Sequence, residues 1–458
     1  MLGLEEPVSR ALLESGRVNL QVMDTSVESS HPPVRGRFSA FLNSKWCMVL
    51  VALAIRLIVM GFLYQEQLDP DRDHWRFAYE NGRIARSIAT GHGVSSPLFE
   101  DTGLTAFLTP VYPYFIAGVF KIFGIYSTTS AFVLLSSNAL ISALTCLPVF
   151  FFARKTFGDR VAVWSGWAWA FFPYAIYFSV ERIWATWLST LLLAILFLLT
   201  LRFERPVSMK AWIGYGLLWG FTALTEPIVL TVLPIMLGWI GIRLLLKKEN
   251  WFIPLSVASL TIILFVTPWF LRNYEVFHRF VPFRDTMGLE LMIGNNGDTF
   301  HWRPRQIGPW HNDADWQKFK DMGEIAYMDE KKVQALEYIR GHKSWFGWVT
   351  VRRFVYIWTG YWSLDPRYLA EEPLDPANIF FSTSLTVLAL IGLRRAFREH
   401  FPVAALYGAM LLVFPVVFYF THVEVYYRRQ VDPQMVVLAV YGVLPWFKNK
   451  APSGHKLA

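Results

Sequence analysis

About ten long apolar runs dominate this sequence, and each is long enough to cross the ~30 Å hydrocarbon core of a bilayer. Of the 458 residues, 54% are hydrophobic and 17% aromatic, which is more apolar than an ordinary soluble enzyme. The sequence therefore predicts an all-α polytopic membrane protein with about ten transmembrane helices. The approximate bounds of the runs are 46–64, 130–152, 161–179, 183–201, 211–226, 227–246, 252–271, 378–393, 402–420 and 431–447.

Clusters of Arg and Lys indicate how the predicted helices are oriented. They precede the first run and follow the second, fourth, sixth, eighth and tenth runs, as the bias of basic residues towards the cytoplasmic side requires. Both termini are then cytoplasmic, with tails over residues 1–44 and 448–458. The net charge of +8 fits these clusters, so the pattern is typical of a membrane protein and argues against nucleic acid as a partner.

Two further apolar stretches do not fit this alternation. Residues 106–124 carry two prolines near their start, and residues 345–362 carry Arg352 and Arg353 in their middle. We expect both stretches to lie along the outer membrane surface, although either could span the bilayer. The resulting division is a transmembrane module at 45–271 that includes a first outer loop at 65–129, a second, large outer loop at 272–377, and final transmembrane helices at 378–447.

The first outer loop contains the stretch DPDRDHWRFAYENGRIAR, in which acids stand at every second position at the start. Their spacing resembles an EF-hand, but His74 occupies the sixth position, where a calcium loop needs Gly for a left-handed turn. A calcium loop is therefore disfavoured. A carboxylate site for Mg²⁺ or Mn²⁺ remains an alternative, because these cations take only one or two carboxylates from a protein. Its candidate ligands are Asp69, Asp71 and Asp73.

The same stretch predicts a helix from about Trp75 to Thr90. Glu80 and Arg83 lie one turn apart on it, and Arg86 follows. An acid and neighbouring arginines at a membrane surface can supply a base and hold a phosphate. The alternative is a surface helix with ordinary ion pairs.

A second group of candidate residues lies in HVEVYYRRQVDP, between the ninth and tenth runs. This segment is predicted on the same face as the first outer loop, so its arginines can converge with Arg83 and Arg86. Arginine suits bidentate phosphate recognition, although these arginines could instead anchor the membrane interface. The candidate phosphate-binding residues here are Tyr427, Arg428 and Arg429, and the candidate cavity residues are Glu181, Glu226, Arg272 and His422.

Four short motifs follow one another in the first half of the chain: Ala-Arg on the predicted helix, the turn TGHGVSSP, the segment TPVYPYFIAGVFKIFG and the span end FFARKTFGDR. In this order they resemble the GT-C superfamily of polyprenyl-phosphate-sugar glycosyltransferases, which includes protein O-mannosyltransferases and lipid A aminoarabinose transferases. The resemblance is clearest over residues 46–275. The chain departs from it at Phe77 and Ala78, where relatives often have Asp-Glu, and at Leu108 and Thr109, where some carry Lys.

The resemblance implies inverting transfer of a sugar from a polyprenyl-phosphate donor to a glycan, lipid or protein acceptor, at the outer face of the inner membrane. It puts a catalytic acid in the first outer loop, which assigns Glu80, or alternatively Asp73, as the base. The arginines would stabilise the leaving phosphate. A second acid of many members falls at Ala185 by register, with Glu181 close by. No cofactor is required, and a divalent metal is an option.

A lipid or saccharide transporter or flippase is the main alternative function, and a noncatalytic membrane scaffold is another. A transporter favours charges or Gly and Pro breaks in the middle of its spans. Here Arg56 is the main charge near the middle of a run, and the polar residues collect in the predicted outer loops. A scaffold gives no reason for an acid and several arginines on one loop helix. The pattern therefore favours the transferase.

Overall fold

A computed structural model describes Phe41 and residues 43–67, 77–299, 307–310, 312–363, 365–371, 374–424 and 426–447. Within these residues the regular secondary structure is helical, apart from an isolated antiparallel bridge between Ser95 and Leu104, which confirms the predicted all-α architecture. The helices are α1 Lys45–Gln67, α2 Glu80–Ala89, α3 Val111–Phe123, α4 Thr128–Leu144, α5 Cys146–Phe157, α6 Asp159–Ala170, α7 Pro173–Glu181, α8 Thr186–Arg202, α9 Met209–Thr225, α10 Leu233–Leu246, α11 Phe252–Phe277, α12 Met287–Gly294, α13 Asp313–Met322, α14 Glu324–Gly341, α15 Lys343–Thr359, α16 Pro366–Glu371, α17 Asp375–Glu399, α18 Phe401–Val413, α19 Val416–Phe420 and α20 Asp432–Val443.

Six helical segments in the described part of the chain are long and apolar enough to cross a membrane. The predicted runs at 183–201 and 211–226 form the helices α8 and α9, which have 17 residues each. The run at 161–179 is divided between α6 and α7, and the run at 431–447 contains α20 flanked by 3₁₀ turns. The chain is thus a multi-pass membrane protein. The six segments are Lys45–Leu63, Thr128–Phe157, Pro227–Leu246, Phe252–Phe277, Pro376–Glu399 and Phe401–Phe420.

The division of the third predicted run has a local cause. Helix α6 ends at Ala170, and Pro173 begins α7, where a missing backbone N–H is tolerated. Arg56 of α1 meets the carbonyl groups left at the end of α6, since it donates to Ala170 O at 3.2 Å and to Trp169 O at 3.5 Å. Its Nε also donates to Ser142 Oγ at 2.9 Å. The guanidinium of Arg56, which is the main charge within the predicted runs, therefore donates its hydrogen bonds to neutral oxygen atoms inside the bundle.

Two polar groupings mark opposite ends of α9 and α10. At one end Glu204 lies 3.1 Å from Lys155 of α5 and 3.3 Å from Arg243 in the last turn of α10. At the other end Glu226, directly after α9, lies 3.6 Å from Arg284, which follows α11. Helix ends that the charge pattern assigns to one side therefore contact one another in the fold.

The segments predicted as outer loops, 65–129 and 272–377, are named here the first and second long loops, and their described residues pack against each other. Leu98 and Phe107 of the first long loop share a buried apolar cluster with Leu289, Phe319 and Tyr327 of the second. Burial of such large side chains stabilises the docked arrangement. This packing fixes the loops relative to each other at the end of the bundle where Glu226 and Arg284 lie.

Helices α3 and α15 occupy the two stretches predicted to lie on the membrane surface. In α3, Phe120 is buried and Ile122 is 74% exposed, while in α15 Ile357 is buried and Trp348 is 61% exposed. Each helix therefore packs one face on the protein and presents apolar side chains on another, as an interfacial helix does. Their position relative to the bilayer stays a prediction.

Candidate active site

Helix α2 is shorter than predicted, because it begins at Glu80. Ala78 (φ 71°) and Tyr79 (φ 49°) adopt left-handed backbone conformations that a preceding helix cannot contain. The turn also requires Gly82, where a Cβ atom would lie 1.9 Å from the carbonyl oxygen of buried Phe77. Strained backbone of this kind persists only where packing holds it, and it is concentrated at functional sites. The turn places the Glu80 carboxyl group at the electropositive start of α2.

A group of five polar side chains, named here the acid–arginine cluster, lies near Glu80. Arg284 lies between two acids, with Nη1 3.6 Å from Glu226 Oε1 and Nη2 3.3 Å from Glu290 Oε1. The other oxygen of Glu290 lies 3.2 Å from His422 Nδ1, and His422 Nε2 lies 2.7 Å from the Tyr427 hydroxyl. The cluster joins the end of α9, the second long loop and the connection between α19 and α20.

The cluster is partly buried and changes the acidity of Glu80. The exposed fractions of its Arg, Glu and His side chains lie between 16% at His422 and 30% at Glu290, and Glu80 is itself partly buried. Burial raises the pKa of Glu80, the charges of Arg83 and Arg284 oppose this rise, and the charge of Glu290 adds to it. A carboxylate with a raised pKa accepts a proton more readily than a free one.

Burial also sets the protonation of the other groups in the cluster. It raises the pKa of Glu226 against the opposing charge of Arg284. It lowers the pKa of His422, although the charge of Glu290 acts in the other direction, and it raises the pKa of Tyr427 well above its usual range. These directions fit a neutral imidazole that faces Glu290 with Nδ1 and accepts a hydrogen bond from the Tyr427 hydroxyl at Nε2.

A small cleft, named here the cationic pocket, is lined by two guanidinium groups. That of Arg429 lies 3.7 Å from the ring centroid of Tyr174 and 3.8 Å from Asp432, and its Nε and Nη2 are buried without a hydrogen-bond acceptor among the described residues. That of Arg182 lies 2.8 Å from Glu181. Guanidinium groups held by aromatic rings suit the binding of an anion. The pocket is lined by Phe178, Arg182, Trp184, Thr186, Trp187, Tyr426 and Arg429.

Aromatic residues connect the cationic pocket with Glu80. The ring of Trp184, in the pocket wall, lies 4.5 Å from that of Tyr426 and 6.3 Å from that of Tyr79, the residue before Glu80. The charge of Arg182 acts on the hydroxyl groups of both tyrosines. The cationic pocket therefore neighbours Tyr79, the residue before the base candidate Glu80.

Other arginines predicted to bind phosphate have different surroundings. Arg83 is buried, with its guanidinium 4.6 Å from the ring centroid of Phe99. Arg428 is buried too, and it donates to Trp358 O at 2.6 Å and lies 3.2 Å from Asp432. Arg83 therefore holds the first long loop against α2, which begins at Glu80, and Arg428 helps to hold the turn that begins at Arg429.

Two further predicted residues lie along the first long loop. Arg86 is half-buried on α2, and its charge acts on the hydroxyl of Tyr126. Arg272, in α11, donates to Thr105 O at 2.7 Å and to Val94 O at 2.8 Å. Arg272 thus fastens the first long loop to the bundle and does not reach the acid–arginine cluster through these contacts.

The candidate ligands of the metal alternative lie outside the described residues. These candidates are Asp69, Asp71 and Asp73, of which Asp73 is also the alternative base. Among the residues that the structure does describe, no group of three His, Cys, Asp or Glu side chains could hold a metal ion.

Sequence reasoning missed Arg182, Arg284 and Glu290. The sequence signal for Arg284 is its place on the predicted outer side, because a basic residue there runs against the positive-inside bias. Arg182 directly follows Glu181 at the end of an apolar run, so the pair could have been considered together. Glu290 lies within a short apolar segment, and only the packing of the second long loop brings it to His422.

Comparisons with known proteins support a glycosyltransferase fold. The sequence matches the family model described as dolichyl-phosphate-mannose-protein mannosyltransferase over residues 108–270. A comparison with curated protein sequences found no match. The apo oligosaccharyltransferase of Archaeoglobus fulgidus is similar in structure with a TM-score of 0.50 at 15% identity, over 87% of this chain and 51% of that chain. The same enzyme in complex with Zn and sulfate gives a TM-score of 0.50 at 15% identity, over 87% and 49% of the two chains.

A further structure, ArnT from Cupriavidus metallidurans bound to undecaprenyl phosphate, gives a TM-score of 0.36 at 14% identity, over 86% of this chain and 77% of that chain. The present chain spans about half the length of the archaeal oligosaccharyltransferase. The resemblance to the GT-C superfamily is therefore confirmed, by the family model over residues 108–270 and by a fold shared over most of the chain.

Proposed function

We propose that this chain is a membrane glycosyltransferase that moves a sugar from a polyprenyl-phosphate donor to a glycan, lipid or protein acceptor. The observation that carries this proposal is that the partly buried Glu80 directly follows Tyr79, whose ring lies 6.3 Å from that of Trp184 in the wall of a pocket lined by Arg182 and Arg429. Inverting transfer from a lipid phosphate needs these two features, a base and an anion-binding group. The matched family is described by a lipid-phosphate-linked sugar, which fits this donor class.

In the proposed reaction, the Glu80 carboxylate accepts the proton of an acceptor hydroxyl or amine. The acceptor oxygen or nitrogen forms a bond to the anomeric carbon, on the face opposite the phosphate. The bond from that carbon to the phosphate oxygen breaks, and its electron pair stays on the phosphate. The leaving group needs no proton because guanidinium groups stabilise its charge.

The arginines have different roles in the proposed reaction. Arg429 has buried N–H groups without hydrogen bonds to described residues, so it and Arg182 bind the donor phosphate. Arg83 and Arg86 on α2 add positive potential around it. Arg428 fixes the 3₁₀ turn that begins at Arg429 through its contacts with backbone and acid.

The remaining cluster residues support Glu80 in this proposal. Arg284 holds Glu226 and Glu290 in place, and Tyr427 holds His422. A carboxylate, an imidazole and a phenol side by side offer several hydrogen-bond partners for sugar hydroxyl groups. The cluster would therefore orient the transferred sugar or the acceptor beside Glu80.

Two alternatives within this function concern the stretch before α2. Asp73 could replace Glu80 as base, and Asp69, Asp71 and Asp73 could bind a divalent cation that shields the phosphate. The archaeal oligosaccharyltransferase has been crystallised with Zn, which keeps a metal in consideration. The proposed mechanism requires no cofactor.

The location of the reaction follows from the charge pattern. The acid–arginine cluster lies at the ends of α9 and α11 that are remote from the basic helix ends. With the basic ends in the cytoplasm, the site faces the periplasm or lumen, and in a bacterium the protein would reside in the inner membrane.

The test is the Glu80→Gln variant in an assay of sugar transfer from a polyprenyl-phosphate donor by the purified chain. Gln keeps the shape but cannot take the proton, so turnover should fall by about 10²- to 10⁴-fold while donor binding persists. Glu100→Gln is the matched control, because Glu100 is exposed in the same loop and contacts only Lys320 at 3.5 Å among its described ion pairs.

Two results would redirect the proposal. Full turnover in Glu80→Gln with loss in Asp73→Asn would move the base to Asp73, and loss of turnover on chelation that added Mg²⁺ restores would establish the metal site. A transporter predicts donor translocation across a vesicle membrane without any glycosylated product. Absence of transfer to every acceptor class, together with such translocation, would replace the transferase with a flippase.

A further inference from the structure

A second acidic pair lies where the two long loops meet, apart from the candidate active site. Glu324, the first residue of α14, accepts hydrogen bonds from Thr105 Oγ1 at 2.5 Å and from Ala106 N at 2.7 Å. Asp285 of the same loop donates its backbone N–H to Ala106 O at 3.2 Å. Two acids of the second long loop thus hold two consecutive residues of the first.

The carboxyl groups of Asp285 and Glu324 face each other. Both oxygens of Asp285 are buried and have no hydrogen-bond donor among the described residues, and the carboxyl of Glu324, which Ala106 N–H holds beside the Asp285 backbone, acts on them. Two buried carboxylates in contact repel each other strongly, and a proton held between them removes this repulsion and forms a hydrogen bond.

The charged side chains around the pair do not neutralise it in place of this proton. The charge of Arg272 attracts that of Glu324, but the N–H groups of Arg272 donate to the backbone oxygens of Thr105 and Val94. Arg284 acts on Asp285 and forms its ion pairs with Glu226 and Glu290. Asp329 of α14 adds a negative charge towards Asp285, although it pairs with Arg279.

We propose that Asp285 and Glu324 are positioning residues that share one proton and so keep the first long loop and Arg284 in their working arrangement. The inference rests on the proposed function for its catalytic consequence. Arg284 precedes Asp285 directly, so a displacement of Asp285 moves the guanidinium that holds the acid–arginine cluster. The loop residues that Glu324 holds follow α2, which carries Glu80.

The direction of the pH dependence follows from the acidity of the pair. Burial raises the pKa of Asp285 to about 6, and burial together with the charge of Asp285 raises the pKa of Glu324 well above its usual range. The folded pair therefore holds its proton more tightly than the unfolded chain does. Its contribution to docking is complete at low pH and is lost as the pH rises through the raised pKa values.

The experiment measures hydrogen exchange of the backbone at residues 94–106 in the full chain, between pH 6 and 9, as protection relative to the free peptide rate. In the parent chain we expect protection to fall by about tenfold per pH unit while the docked pair keeps a proton that the undocked chain has lost, and to level off above the raised pKa values. Glu324→Gln keeps hydrogen-bond donors and acceptors without a titrating proton, so its protection should stay constant. Glu324→Ala should lose protection at every pH.

Glu337→Gln is the matched control, because Glu337 is exposed on the same helix α14. It should behave as the parent chain does. A Glu324→Gln variant whose protection falls with pH as steeply as in the parent would overturn the proposal, as would a parent chain with constant protection.

Activity gives the second readout. The rate of sugar transfer by Glu324→Gln should persist at alkaline pH where that of the parent declines, and Asp285→Asn should behave in the same way. Hydrogen exchange needs no turnover, so it tests the shared proton even if the chain proves not to be a transferase. If exchange follows the prediction and the pH–rate profile does not change, the positioning role is refuted while the proposed transfer reaction stands.

Discussion

The buried arginines of the helical bundle and those of the candidate active site are satisfied in different ways. Arg56 and Arg353 are fully buried, and each donates to carbonyl groups at the ends of helices. Arg56 meets the end of α6, and Arg353 meets Tyr419 O and Phe420 O of α19 at 3.3 Å. Such contacts satisfy carbonyl groups that have no partner within their own helix.

At the candidate active site the guanidinium groups face acids and a cavity. Arg284 lies between Glu226 and Glu290, and Arg429 lines the cationic pocket with two nitrogen atoms that make no hydrogen bond to described residues. A guanidinium has five N–H donors, so those not used by the protein can bind a ligand. Burial alone therefore does not distinguish the two classes of arginine, whereas the chemistry of their partners does.

The largest effect on turnover after that of Glu80 is expected from Arg284→Met. Without the guanidinium, Glu226 and Glu290 lose the charge that holds them, and turnover should fall about 10- to 100-fold, since a hydrogen bond to a charged group contributes about 1.5–3 kcal/mol. The matched control is Arg279→Met, because Arg279 lies in the same loop but forms an exposed pair with Asp329. Equal losses of kcat/KM in both variants would show that Arg284 supports the fold, as Arg56 and Arg353 do, and has no specific role at the candidate active site.

A smaller effect is expected when either of the two adjacent arginines, Arg428 or Arg429, is replaced by lysine. Arg429→Lys should weaken donor binding about tenfold, because an ammonium group does not reproduce the planar fork that grips a phosphate. Arg428→Lys should instead lower thermal stability, since Arg428 contacts Trp358 O, Thr386 Oγ1 and Asp432. Isothermal titration with the donor lipid and thermal unfolding in detergent compare the two variants. The reverse result would exchange their roles.

The sequence predicted the helical framework well for a physical reason. Apolar runs of membrane-spanning length and basic helix ends are local properties, and every predicted run corresponds to helix in the described part of the chain. The break between α6 and α7 was not predicted, although Pro173 is a local signal for it; the carbonyl groups that the break leaves accept from Arg56 of a distant helix. Helix α2 was predicted to start too early, since Ala78 and Tyr79 do not reveal their left-handed conformations by their identity.

The candidate site was less predictable than the framework. Glu226, His422 and Tyr427 were proposed from their place at helix ends, and the fold brings them together. Their common partners, Arg284 and Glu290, come from a loop whose position depends on long-range packing. Helix periodicity and positive-inside bias carry no information on such contacts, so a sequence supplies the candidate residues and the fold selects their partners.

The next smaller effect is a shift of the pH–rate profile. Burial raises the pKa of Glu80, and Glu290 adds to this rise. A base acts when ionised, so kcat/KM should increase as the pH rises through this pKa. Glu290→Gln removes the repelling charge and should move this acid limb to lower pH by a fraction of a unit. Glu330→Gln, remote from Glu80 in its contact with Lys318, should leave the limb in place. A shift to higher pH in Glu290→Gln would contradict the arrangement.

The smallest effect on turnover is expected from Arg56→Met, which tests whether a buried arginine of the helical bundle contributes to stability alone. The substitution leaves the carbonyl groups of Trp169 and Ala170 without their donor inside the bundle, and an unsatisfied buried polar group costs about 1–3 kcal/mol. The variant should therefore unfold at lower temperature in detergent, while kcat/KM per folded molecule stays that of the parent. Arg56→Lys should recover part of the stability, because an ammonium group still donates to carbonyl oxygens. A variant that keeps its thermal stability but loses turnover would show that Arg56 acts on catalysis, and buried arginines could then no longer be divided by the chemistry of their partners.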